Sequence, residues 1–221
     1  MNKKIKAFTL AEVLVTLTII GVVSALTIPT LTRKIHSQKT INLLKSTYSI
    51  LGQAIHSAER ENGQASEWTT ERWTEKGAIE VAENLKPFFK IQKDCGTYDA
   101  NNECINSEYL QRKGIKHDVN FATDRRYYKI VLLNGASLIW KATDEIEYQY
   151  DKHFTILVDI NNSQPPNKWG EDLFAFGYMK NKLIPSGAPG SKSPYDKECL
   201  PKDSTGWGCA YYVLTKNKMD Y

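Results

Sequence analysis

Between Phe8 and Ile28 run 21 residues whose only ionisable side chain is Glu12. Wound as a helix at about 1.5 Å per residue, this segment spans roughly 30 Å, the thickness of a bilayer's hydrocarbon core. Lys3, Lys4 and Lys6 precede it without an acid among them, and the positive-inside bias then predicts a cytoplasmic N-terminus and an exported remainder. Glu12 is the anomaly. A carboxylate in lipid costs about 2.5–3.5 kcal/mol even on the mildest insertion scale, so it needs a partner or an exit to the interface. Three arrangements accommodate the run. It is a signal peptide with a long apolar region and a small-residue cleavage site at Val23-Ser24-Ala25, or an uncleaved anchor whose carboxylate snorkels, or a segment in which a second molecule supplies the counter-charge.

The residues around Glu12 favour the third. Ala7 followed by Phe8-Thr9-Leu10-Ala11-Glu12, a basic leader before them and an apolar run reaching Pro29 resemble the class III signal of type IV pilins and type II secretion pseudopilins. The resemblance covers Lys4–Leu31 and is silent on the rest. It implies that a prepilin peptidase cuts between Ala7 and Phe8 and N-methylates the new terminus. Ala7 stands where the family usually has Gly. In a filament, Glu12 of one subunit then neutralises the α-ammonium of a neighbouring Phe8 inside an apolar core. Pro29 falls where the family places a helix-kinking proline.

Beyond Pro29 the helical pattern continues. Leu31, Ile35, Ile41, Leu44, Tyr48, Leu51, Ile55 and Ala58 recur at spacings that share a helical face, interrupted at Gln38. Asn62-Gly63 is a stop signal. The organisation expected is a leader at 1–7, a transmembrane and filament-core segment at 8–28, an amphipathic continuation at 29–62 and a globular head at 63–221. Thr74–Lys90 predicts a short helix bent or ended by Pro87. Tyr127–Leu133 and Ala136–Lys141 flank Asn134-Gly135, a two-residue hairpin signal. Phe154–Ile160 alternates like a strand, and Leu173–Met179 sets Phe174, Phe176 and Tyr178 on one side. The fold class expected is α+β and pilin-like: a long N-terminal helix, its C-terminal half packed on a small antiparallel meander. From Leu183 the chain reads as irregular loop.

The net charge of +4 is a product of topology. The leader carries +3, 8–62 carries +2 and 63–221 carries −1, so removing 1–7 leaves +1. That balance makes no case for a nucleic-acid-binding head.

Four cysteines allow three disulfide connectivities. Export favours oxidation, and the local pairs Cys95–Cys104 and Cys199–Cys209 each bracket a polar stretch. Closing loops of that size contributes on the order of 2–3 kcal/mol each in the chain-entropy treatment. A crossed pattern stays open. The spacing argues against zinc. Asp159, Asn161, Asn167 and Asp172 lie in one acid- and amide-rich turn, and their oxygens suit a hard cation such as Ca²⁺. Major pseudopilins hold calcium in a loop of the C-terminal half, so the resemblance points the same way. The same residue types also cap backbone N–H groups in ordinary turns.

No other cofactor is expected. Gly187-Ala-Pro-Gly-Ser-Lys192-Ser193 lacks the Gly-Lys pair and the following helix of a phosphate loop, and His36, His56, His117 and His153 form no metal or catalytic spacing. Trp68, Trp73, Trp169 and Trp207 suit core packing better than a ligand platform. The chain therefore reads as a structural subunit and not an enzyme. It would reside in the bacterial inner membrane with its head outside the cytoplasm, then in a periplasmic or extracellular filament. Its partners would be itself, other pilin-like subunits, the prepilin peptidase and an inner-membrane assembly platform. A competing reading is a singly anchored or competence-type module whose head captures DNA or protein.

Overall fold

A computed structural model describes residues 9–69, 71–143, 146–147, 150–151 and 153–221. The chain divides into two compact units that meet between Lys39 and Thr40. One helix, α1 (Leu10–Asn62), contributes to both.

In the first unit α1 exposes its apolar side chains, with Leu10 78% and Leu26 72% accessible. Its threonines do not break it, because their hydroxyls donate to carbonyls one turn back. Thr18 bonds Leu14 O at 2.8 Å and Thr27 bonds Val23 O at 2.8 Å. That return bond is what lets a hydroxyl reside in an apolar helix. Pro29 lies inside α1 and is accommodated within it.

The second unit begins where burial begins. Thr40, Ile41, Leu44, Thr47, Leu51, Ala54, Ile55 and Ala58 are the buried residues of α1, a stripe of three- and four-residue steps. Leu31 and Ile35, expected on the same stripe, are instead exposed and prolong the apolar surface of the first unit. At the end of α1, Gly63 takes a left-handed φ of 81° and its N–H reaches Glu59 O at 3.1 Å. Helix α2 (Glu75–Leu85) follows, with the Thr74 hydroxyl accepting from Gly77 N, and a 3₁₀ turn holding Pro87 ends it.

The sheet has six antiparallel strands in the order β1-β2-β3-β6-β7-β8. These are β1 (Ile91–Gly96), β2 (Tyr128–Leu132), β3 (Ser137–Ala142), β6 (Phe154–Asp159), β7 (Leu173–Met179) and β8 (Lys182–Pro185). A two-stranded β4 (Ile146–Glu147) and β5 (Tyr150–Asp151) ribbon intervenes. The β2–β3 turn is a three-residue loop, closed by Gly135 N to Leu132 O at 2.9 Å and Leu132 N to Ala136 O at 2.8 Å. Only Gly135 takes a positive φ there, so the sequence Asn-Gly builds a glycine-bulge loop and not the two-residue turn it first suggests.

Both faces of the sheet are covered. Tyr128, Ile130, Leu138, Trp140, Phe154, Ile156, Val158, Phe174 and Phe176 join α1 and α2 in one core. On the opposite face Tyr127, Ile139, Leu157, Leu173 and Ala175 pack with Tyr109, Phe121 and Trp169 from the connecting loops. This second core explains why every residue of β6 and β7 is buried. The C-terminal region carries more regular structure than its Pro, Gly and Ser content suggests: β8, α3 (Tyr195–Glu198) and α4 (Cys209–Lys216). Lys182–Pro185 pairs with β7, and α4 buries Cys209, Ala210, Tyr212 and Val213.

Candidate functional site

Glu12 is partnered within its own helix. Thr9 O accepts the first helical bond, from Val13 N at 3.2 Å, which makes Thr9 the N-cap. Its N–H and its hydroxyl both donate to Glu12 Oε2 at 2.8 Å, and Glu12 N donates back to Thr9 Oγ1 at 3.3 Å. This reciprocal pair is a capping box, and it places the carboxylate against the positive end of the helix dipole. Its signature, Thr-x-x-Glu, stands in the sequence. Ala7 and Phe8, the expected processing site, lie outside the described residues.

The four oxygen-bearing residues of the β6–β7 connection gather around two buried acids, with the Asn161 side chain reaching Asp172 as well. Asp159, at the end of β6, and Asp172, just before β7, are both fully buried. Asp159 accepts from the Tyr109 hydroxyl and, at 3.0 Å, from Asn161 N. Asp172 accepts from Asn167 N and Lys168 N, each at 2.6 Å. Burial, and then the charge of Asp172, hold the Asp159 carboxyl well above the usual carboxylate range. Burial also raises Asp172 to about 6, against the pull of its two backbone donors. The Asn161 and Asn167 amides donate to the backbone of the same turn, while both Oδ1 atoms are buried without a hydrogen-bond partner. Two buried acids with raised carboxyls, Asp159 partly through the charge of Asp172, and two orphaned amide oxygens fit a hard cation. The capping role fits as well, since three backbone N–H groups end on these carboxylates. Tyr109 is 50 residues from Asp159 in the chain, and no sequence spacing announces it.

Cys95 and Cys104 form one disulfide, and Cys199 and Cys209 another. In the first loop Asp99 accepts from the N–H groups of Glu103, Cys104 and Ile105. Its sulfurs and Asp99 lie close together, but the bridge and these three donors occupy them. Lys129, fully buried on β2, donates to Thr97 O at 2.5 Å and Asp124 O at 3.0 Å, which ties that loop to the sheet. Burial lowers its ammonium to about 8. Trp68 and Trp169 are core residues, Trp207 packs on Trp169 at 4.7 Å, and Trp73 lies at the surface with Lys141 over its ring at 3.8 Å. An open groove of about 470 Å³ runs between Ile50, Gln53, Ala54 and Ser57 of α1 and Leu132, Leu133 and Asn134.

A model of a family of unknown function, DUF6613, matches residues 30–218. A second, the prokaryotic N-terminal methylation motif, matches residues 2–28. No curated protein and no solved structure matches the chain.

Proposed function

From a chain that belongs to the DUF6613 family and carries a type IV pilin-like methylation motif, we propose a structural subunit of a type II secretion pseudopilus or type IV pilus. The observation that carries this reading is the joining of that motif to a helix whose apolar part buries nothing within its own chain up to Lys39. In the proposal, a prepilin peptidase cuts between Ala7 and Phe8 and methylates the new amino terminus. The subunit waits in the inner membrane with its head outside the cytoplasm, and an assembly platform stacks it with copies of itself and other pilin-like subunits. Contacts that never close on themselves then extend a filament.

The capping box supports a two-stage role for Glu12. In the single subunit, Thr9 and the helix dipole moderate the cost of the carboxylate in lipid. In the filament, the ammonium of a neighbouring Phe8 completes the pairing. Intact mass of the membrane-extracted protein tests the first step, with loss of 1–7 and gain of one methyl expected. A start at Leu26 would mean a secreted protein, and retention of Met1 a plain anchor whose head is the working part. Glu12→Ala is expected to leave insertion intact and to abolish incorporation into filaments; undiminished assembly would sink the pairing.

The orphaned oxygens favour one addition. In the proposal, Asp159, Asn161, Asn167 and Asp172 hold Ca²⁺ and brace the β6–β7 connection. The ion would supply the charge that lets both acids ionise. A melting temperature that rises with millimolar Ca²⁺ and falls with chelator is expected, and indifference to both would remove the ion.

A further inference from the structure

No acid occurs between Glu12 and Glu59, a gap of 46 residues, and its cations crowd directly downstream of the apolar segment. Arg33, Lys34 and Lys39 are exposed and make no hydrogen bond or ion pair among the described residues. Lys76, Lys86, Lys93, Lys116, Arg125 and Arg126 all sit against carboxylates.

These three cations also oppose the positive-inside bias, since they match the three leader lysines from the other side of the span. Some interaction must favour them there. Taking Arg33 as the origin and about 100° per residue, Lys34 lies near 100° and Lys39 near 240°. They ring the helix. A protein partner docking on one face would gather them on that face, whereas a headgroup layer meets the helix from every direction. Arg33 lies about 8 Å and Lys39 about 16 Å past Ile28 along the axis, by helical rise. The polar layer on each side of a bilayer is about 5–8 Å deep. Helical side chains lean toward the N-terminus, which here is toward the membrane, so Arg33 and Lys34 reach into that layer, while Lys39 stops short of it but within a Debye length, about 10 Å at 0.1 M, of its phosphates.

We propose that Arg33, Lys34 and Lys39 form a collar that binds anionic lipid headgroups on the head side of the membrane. The proposal rests on the reading of the apolar segment as membrane-spanning. Its function would be to hold the unassembled subunit at a fixed depth, with phosphates as counter-ions until extraction.

The test uses the full chain in lipid nanodiscs of phosphatidylcholine with a quarter phosphatidylglycerol, and native mass spectrometry of the lipids it retains. A cation at an anionic surface is worth on the order of fivefold in preference. The wild-type chain is therefore expected to enrich phosphatidylglycerol severalfold over its bulk share. The triple variant R33Q/K34Q/K39Q should lose at least about threefold of that enrichment, and R33K should keep it. The leader lysines contribute equally to all three proteins, so the difference isolates the collar. Salt near 1 M, where screening acts over about 3 Å, should erase it. Equal enrichment in wild type and triple variant would overturn the proposal. So would a triple variant that loses cross-linking between copies in purely zwitterionic nanodiscs, because the cations would then serve a second copy. Resistance to alkaline carbonate keeps the two readings apart. Extraction of the wild-type chain would bring down the membrane span and the collar with it, while resistance without lipid preference would bring down the collar alone.

Discussion

Thr9 and Glu12 form one short side-chain pair that caps α1 and, in the proposed filament, also serves assembly. The Thr9 hydroxyl accepts from Glu12 N and donates to Glu12 Oε2, so valine, which keeps its shape, removes both bonds. Thr9→Val is expected to leave the apolar span inserted but to fray its first turn, seen as faster amide exchange at residues 10–13 in detergent micelles; unchanged exchange would show that the cap is idle. Lys129 sets a second test at this scale. Its ammonium titrates near 8 in the fold, below the 10.5 of an exposed lysine, so between those values the unfolded chain binds the extra proton. Stability therefore rises with pH across roughly 8 to 10, where the buried charge is shed, and the cost is fully present below 8. Urea unfolding at pH 7.5 and 9.5 should show that rise in the wild type and not in Lys129→Met. Tyr48, Tyr109, Tyr128, Tyr178, Tyr212 and Tyr221 are raised in the fold and act in the opposite sense as pH nears 10, because their unfolded forms ionise first. Both proteins share that loss, so the difference between wild type and Lys129→Met isolates the lysine.

At the scale of elements, the second unit is held by an α1 stripe, a twice-covered sheet and two closed loops. Leu44 is fully buried in the main core, and Leu44→Ala should cost about 2–5 kcal/mol, measured by chemical denaturation. Gly187 shows why the Gly-Pro-Ser run after β8 is structural. It takes a φ of 100°, and a Cβ there would lie 1.8 Å from Gly208 O, so the run lets two backbones touch beside α4. Gly187→Ala is expected to lower the melting temperature sharply, whereas Gly114→Ala, which meets nothing within 4 Å, bears only the strain of its left-handed φ. The elements legible in sequence were those with their own periodicity or punctuation. They were the α1 stripe from Ile41, the short helix after Thr74 with its stop at Pro87, and the strands at β2, β3, β6 and β7. What stayed hidden depends on partners distant in the chain. Tyr109 beneath Asp159, the loop cluster covering the sheet's far face and the packing of α4 all arise from contacts that no local pattern records. Glu12 is the opposite case, since its Thr-x-x-Glu box stands in the sequence as a local pattern, whereas the expectations for Glu12 concerned only its charge.

For the whole molecule, the boundary between Lys39 and Thr40 is where the chain begins to bury its own side chains. Up to Lys39 the helix buries nothing within the chain and presents Leu, Ile and Val on all sides, as a segment does whose environment is lipid or other helices. From Thr40 onward the chain carries its own core, its two disulfides and every buried charge described. A chain beginning at Thr40 should therefore fold alone in water. Its expected behaviour is a monomer on size-exclusion chromatography that unfolds in one cooperative transition, with a melting temperature within a few degrees of the full chain in detergent. Removing 1–39 deletes no residue of either core, so the energetic loss is confined to fraying at Thr40 and Ile41. The same truncation should abolish membrane association and filament incorporation together, because both are assigned to the deleted helix. A truncated chain that aggregates would show that the apolar segment covers part of the second unit. One that still enters filaments would move the assembly surface into the head, with the groove beside Ile50, Ala54 and Leu133 the first place to look.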